Sequence, residues 1–119
     1  MNSSFKDLLV WQKSLQFADK VIARTETLDT SAKHYRLIEQ IEAASASVPQ
    51  NIAEGKGRFH PKEFRQFLFY ARGSLYETIT LLHLFAMRKW ITNSELETFE
   101  QEANEIGKML NGLINSIKY

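Results

Sequence analysis

Apolar residues recur at spacings of three and four along almost the whole chain, and no stretch alternates as a strand would. The pattern predicts four amphipathic helices. The first covers residues 5–25, with Leu8, Trp11, Leu15, Ala18 and Ile22 as its seam and Ser4 or Asp7 as its cap. The polar run TETLDTSAK reads as a loop. The second covers 32–54, with the seam Ile38, Ile41, Ser45, Val48 and Ile52. Pro49 removes one backbone donor there and presses on the Ser45 carbonyl. The seam keeps its register across that proline, which predicts one helix kinked at Pro49 rather than two helices. Gly55 is expected to stop it. The third covers 61–89 with Pro61 in its first turn, roughly 40 Å at 1.5 Å per residue. The fourth opens on Thr92-Asn93-Ser94-Glu95, a capping box. Its seam is Leu96, Phe99, Ala103, Ile106, Leu110, Leu113 and Ile117. Short connections between such helices imply antiparallel neighbours. The expected fold is an all-α, up-down-up-down four-helix bundle, a single domain over residues 1–119.

The third helix is apolar on more sides than one small core can use. Phe64, Leu68, Ala71, Leu75, Leu82 and Phe85 form a stripe, widened by Phe67, Ile79 and Ala86. Phe69, Tyr76 and Met87 lie about 120–140° away from Phe64 on a helical wheel. Tyr70, Leu81 and Leu84 extend the other flank. Such a helix is expected to be covered twice, by its own bundle and by another subunit. Phe69, Tyr76, His83 and Met87 are the interface candidates.

Composition adds little until charge is mapped along the chain. Hydrophobic residues make up 44% and charged residues 24%, as in ordinary globular proteins. The absence of cysteine excludes disulfides and thiolate metal sites. No signal-like or membrane-spanning apolar run occurs, so a cytoplasmic, soluble protein is expected. The net charge is +1, unevenly spread. Residues 1–55 carry −1, residues 56–92 carry +5 and residues 93–119 carry −3. Two readings follow: the acidic and basic regions pair, within one chain or between subunits, or the basic third faces nucleic acid.

Catalytic and ligand-binding patterns are sparse. Gly55-Lys56-Gly57 has no preceding strand and no Ser or Thr after the lysine, so it is not a Walker loop. His34, His60 and His83 form no pair at metal-ligand spacing, and the predicted seams carry no carboxylate. Ser45 and Ser47 have no adjacent histidine to activate them, and Ser45 suits a local bond to backbone near the kink. Asn51 and Glu54 share a helical face. They read as structural: Asn51 satisfies backbone groups near the kink or turn, and Glu54 pairs with Lys56 or Arg58. No cofactor or metal is expected, and no enzyme activity. The one constellation above background is Arg65, Phe69, Arg72, Tyr76 and His83 on one face of the third helix, extended by Arg58 and Lys62. Interleaved arginines and aromatics suit phosphates and bases, and equally suit a protein interface. Lys56, Arg58, Lys62, Arg65 and Arg72 are therefore nucleic-acid-binding candidates. Pro49, Asn51, Glu54 and Gly55 are structural candidates.

The runs FKDLLVWQKSLQFADKV, SVPQNIAEGKGR and FRQFLFYARGSLYE resemble the four-helix-bundle proteins encoded by intervening sequences in bacterial 23S rRNA genes, over nearly the whole chain. The resemblance implies a homo-oligomer, a ring-shaped pentamer. It also extends to the accessory protein of diversity-generating retroelements, a basic pentamer that binds reverse transcriptase and nucleic acid. It brings no established biochemical activity. Family members commonly carry arginines where this chain has Glu42 and Ala43, which removes positive charge from the second helix. The function expected is a non-catalytic oligomeric scaffold that binds RNA or DNA through a basic face. The alternative is a protein-interaction adaptor, for example for a reverse transcriptase or another enzyme.

Overall fold

The structure, a computed structural model, describes residues 4–30 and 32–119. Four α-helices form it: α1 Leu9–Thr25, α2 Tyr35–Gly57, α3 Pro61–Met87 and α4 Asn93–Ser116. Short 3-10 turns at Phe5–Asp7 and Ala32–His34 precede α1 and α2. There is no strand among the described residues. Cross-helix contacts fix the directions. Along α1 and α4, Lys13 meets Glu105, Lys20 meets Glu102 and Arg24 meets Glu95, so one index rises as the other falls. Between α2 and α3, Gln40 meets Glu77 and Ser47 meets Ser74. Between α3 and α4, Arg72 meets Asn111 and His83 meets Glu100. The helices joined by these contacts run in opposite directions.

The core is one apolar cluster drawn from all four helices, including Phe17, Val48, Leu75, Phe85 and Leu110. On α1 the buried face is Val10, Ser14, Phe17, Ala18, Val21 and Thr25. This corrects the expected seam, because Leu15 is 46% exposed and Leu8, Trp11 and Ile22 are only half-buried. The helix carries two apolar stripes, and Ser14 and Thr25 hid the deeper one. Each turns its hydroxyl back onto its own helix, Ser14 to the Trp11 carbonyl at 3.0 Å and Thr25 to the Ile22 carbonyl at 2.8 Å. A hydroxyl satisfied this way packs at little polar cost. Thr78 on α3 does the same with the Ser74 carbonyl. Leu81, expected on an outer flank, is also buried.

Helix α2 passes through Pro49 without a break. Pro49 leaves the Ser45 carbonyl without its helical donor. Nearby polar groups bond locally: Ser45 Oγ donates to the Glu42 carbonyl at 3.1 Å, and Asn51 Nδ2 donates to the Ser47 carbonyl at 2.8 Å. Ser47 and Ser74 exchange a 2.6 Å hydroxyl bond that ties α2 to α3. The helix does not stop at Gly55; it continues to Gly57. Gly55 is buried, and a Cβ there would lie 2.6 Å from the Cβ of Phe67 and 3.1 Å from the Phe64 ring. Its role is close approach of α2 to α3. The left-handed residue that ends the helix is Phe59, with φ 57°.

At the opposite end, α3 closes in a Schellman motif. Trp90 N–H donates to the Phe85 carbonyl and Lys89 N–H to the Ala86 carbonyl, with Lys89 at φ 63°. The Trp90 ring packs 5.0 Å from Phe85. The expected capping box follows at once: Glu95 N–H donates to Thr92 Oγ1 at 3.0 Å, and Thr92 N–H to Glu95 Oε1 at 2.9 Å.

Candidate nucleic-acid interface

The ion pairs within one chain bear on the uneven charge of the sequence. The acidic carboxylates of α4 go chiefly to α1: Lys13–Glu105 at 2.7 Å, Lys20–Glu102 at 3.1 Å and Arg24–Glu95 at 2.6 Å. Among the described residues, Glu100 alone of the α4 carboxylates pairs with the basic third, at His83, 3.0 Å away. Glu95 is the most strongly held of these. The Arg24 side chain, then the Thr92 backbone N–H, lower its pKa from the ordinary 4.5 to about 2. Within one chain, among the described residues, the acidic and basic thirds are therefore not mutual partners for the most part.

The Arg–aromatic stripe of α3 lies along α4. Arg65 Nε donates to the Ile114 carbonyl at 3.3 Å, and Arg72 Nη1 to Asn111 Oδ1 at 2.9 Å. Phe69 sits between the two guanidinium groups, 5.3 Å from Arg65 and 4.8 Å from Arg72, and packs on the core. Two of the five basic candidates thus clasp α3 to α4, and Phe69 is their half-buried filling. Tyr76 is 51% and Met87 78% exposed.

The remaining basic candidates converge on the α2–α3 corner. Arg58 pairs with Glu54 at 2.8 Å, as one of the sequence alternatives had it, and its guanidinium lies 5.1 Å from the Phe67 ring. Lys56 lies over Phe64 at 5.7 Å. Lys62 is exposed in the first turn of α3. A concavity of 360 Å³ opens here, with Pro61, Phe64 and Ile117 as apolar lining and Lys56, His60 and Lys118 around them. Phe59 also lines it and is 77% exposed. Sequence reasoning passed over Phe59 and Lys118. An aromatic between Arg58 and His60 was a signal available in GKGRFHPK. Lys118 carried none, because only the return of α4 brings it to this corner.

A second concavity, 410 Å³, lies between α1 and α2, with Trp11, Leu15 and Ile22 on one wall and Ala46, Pro49 and Ala53 on the other. Its lining is the apolar stripe that the periodicity of α1 assigned to the core. Among the described residues no three His, Asp or Glu side chains come together as a metal site would need. Among the described residues no helix is long and apolar enough to cross a membrane.

An all-helical bundle with a basic corner and an apolar side groove defines the class. The profile described as 23S rRNA-intervening sequence protein matches residues 6–112, and the chain belongs to that family. It is similar to a crystal structure of a protein of unknown function from the S23 ribosomal protein family of Bacteroides thetaiotaomicron. The TM-score is 0.84 and the identity 27%, over 91% of this chain and 100% of that one. No curated protein matches the chain.

Proposed function

We propose that this chain is a non-catalytic, homo-oligomeric bundle that binds RNA or DNA through the basic α2–α3 corner. The observation that carries the reading is the pairing of α4 carboxylates with α1, which leaves the positive excess of residues 56–92 largely uncancelled. Among the described residues, Lys56, Lys62 and Lys118 have no ion-pair partner, so their charge is available to phosphates. Arg65 and Arg72 contribute to the field of this face from their clasped positions. The pentamer that the family resemblance implies is the expected assembly. The apolar α1–α2 groove and the exposed Tyr76 and Met87 of α3 are two different patches on one chain. Their joining head to tail is a heterologous contact, which closes a ring when the rotation between subunits closes, as in the expected pentamer.

The test is anisotropy of labelled RNA and DNA oligomers across a salt series. Affinity should fall about tenfold or more between about 50 and 200 mM salt, and Lys56→Ala with Lys62→Ala should weaken binding and flatten that slope. No binding at low salt overturns the reading. Light scattering should give a multiple of the 13.8 kDa chain mass, reduced to one chain by Leu15→Glu. A wild-type monomer at micromolar concentration overturns the oligomer.

The occupied arginines favour a second reading, an adaptor for a protein partner that binds no nucleic acid. A stoichiometric partner lost on Leu15→Glu, with no salt-dependent retention of RNA or DNA, would select it.

A further inference from the structure

We infer that Phe59 is a stacking platform for an unpaired base of single-stranded nucleic acid, with the neighbouring lysines taking the flanking phosphates. The inference deepens the nucleic-acid reading above and rests on it. Three observations point to Phe59. It is a bulky side chain held at φ 57°, a conformation such residues rarely adopt. It is 77% exposed and contributes nothing to the apolar core. It has no ring partner among the described residues, whereas the other left-handed residue, Lys89, leads straight into the half-buried Trp90, whose ring packs on Phe85 and His34. Packing therefore explains Lys89 and leaves Phe59 without a structural reason to be aromatic.

The surroundings match one ligand chemistry. The concavity beside Phe59 has an apolar lining of Pro61, Phe64 and Ile117, with Lys56 and Lys118 also along it. A nucleobase is a flat ring with two apolar faces, tethered to an anionic backbone. Its face suits Phe59 and the apolar lining, and the backbone suits the lysines. A duplex hides its base faces in the stack, so it can use the lysines but not the phenylalanine. Phosphates alone, without bases, would be in the same position.

The experiment compares four probes of equal length: single-stranded RNA, single-stranded DNA, a duplex and an abasic strand. Each is titrated with the wild-type chain, Phe59→Ala, Phe59→Trp and Lys56→Ala/Lys118→Ala. The expected result is tighter wild-type binding to the base-bearing single strands than to the duplex or the abasic strand. Phe59→Ala should lose about 5- to 100-fold on the base-bearing strands with an unchanged salt slope, and Phe59→Trp should keep the wild-type affinity. The lysine pair should lower the slope on every probe. Circular dichroism melts of Phe59→Ala should match wild type, since the ring is outside the core. Equal wild-type affinity for abasic and base-bearing strands, or wild-type affinity in Phe59→Ala, overturns the platform while leaving salt-dependent binding in place. No wild-type binding to any probe at low salt overturns both.

Discussion

The two turns that flank α3 use the same backbone device with opposite surroundings. Each places a non-glycine residue in the left-handed region, Phe59 at φ 57° and Lys89 at φ 63°. That conformation costs roughly 1–2 kcal/mol for a residue with a Cβ. After Lys89 the chain is pinned at once. Trp90 N–H bonds the Phe85 carbonyl at 2.9 Å, and the Trp90 ring packs between Phe85 and His34. Burial of aromatic surface offsets the backbone cost there. Around Phe59 the corner is looser. Arg58 N–H bonds the Gly55 carbonyl at 3.2 Å, and the phenylalanine points its ring at solvent. One turn is a structural closure; the other holds an aromatic in a place where folding does not need it.

The sharpest way to break this contrast is a pair of truncations. Phe85→Ala, behind the closed turn, should cost about 3–5 kcal/mol in urea unfolding, whereas Phe59→Ala should stay within about 0.5 kcal/mol of wild type. Comparable losses would place Phe59 in the fold after all. Next in size, Gly55→Ala should cost about 1–3 kcal/mol, since the new methyl meets Phe67 Cβ, while Gly57→Ala, with open space, should be neutral or stabilising. Equal effects at the two glycines would undo the assignment of Gly55 to close helix approach.

At the closed turn, Thr92→Ala should cost about 1 kcal/mol through loss of the capping box, read from the same unfolding curves. The Arg24–Glu95 pair adds a pH dependence. The folded-state pKa of Glu95 is depressed to about 2, so its stabilisation is fully present above the ordinary 4.5 and is lost as pH falls from there toward 2. Urea midpoints measured across that window should decline less steeply in Glu95→Gln than in wild type. Smallest of all, Phe59→Gly and Lys89→Gly should each stabilise by up to about 1 kcal/mol through relief of the left-handed backbone. At Lys89 that gain should come alone. At Phe59 it should come with weakened oligonucleotide binding, which is the signature of a residue kept for contact rather than for folding.

Much of the fold was legible because helical spacing records it redundantly. The continuity of α2 through Pro49 could be read from a seam that kept its register, and the start of α4 from a capping box whose two hydrogen bonds are local. The deeper stripe of α1 was not legible. Val10, Ser14, Phe17 and Val21 meet the spacing as well as Trp11, Leu15, Ala18 and Ile22 do, and the serine among the former left the latter as the more apolar set. The candidate site was legible in part. The positive excess was visible by counting, but the count could not say that Arg65 and Arg72 reach across to α4 or that Lys118 returns to Phe59.

The amino-acid sequence by itself determined that this chain makes four helices, where each begins to within a few residues, and that charge is concentrated in its middle. These are properties of neighbours three and four positions apart, and such neighbours interact in any helix whatever it packs against. Only the tertiary structure decided which of two apolar stripes on α1 goes inside. Only it revealed why Gly55 must lack a side chain, which acids meet which bases, and that the basic corner has an exposed aromatic at its centre. Those outcomes depend on contacts between residues dozens of positions apart, where the spacing along the chain carries no information about who will be opposite whom.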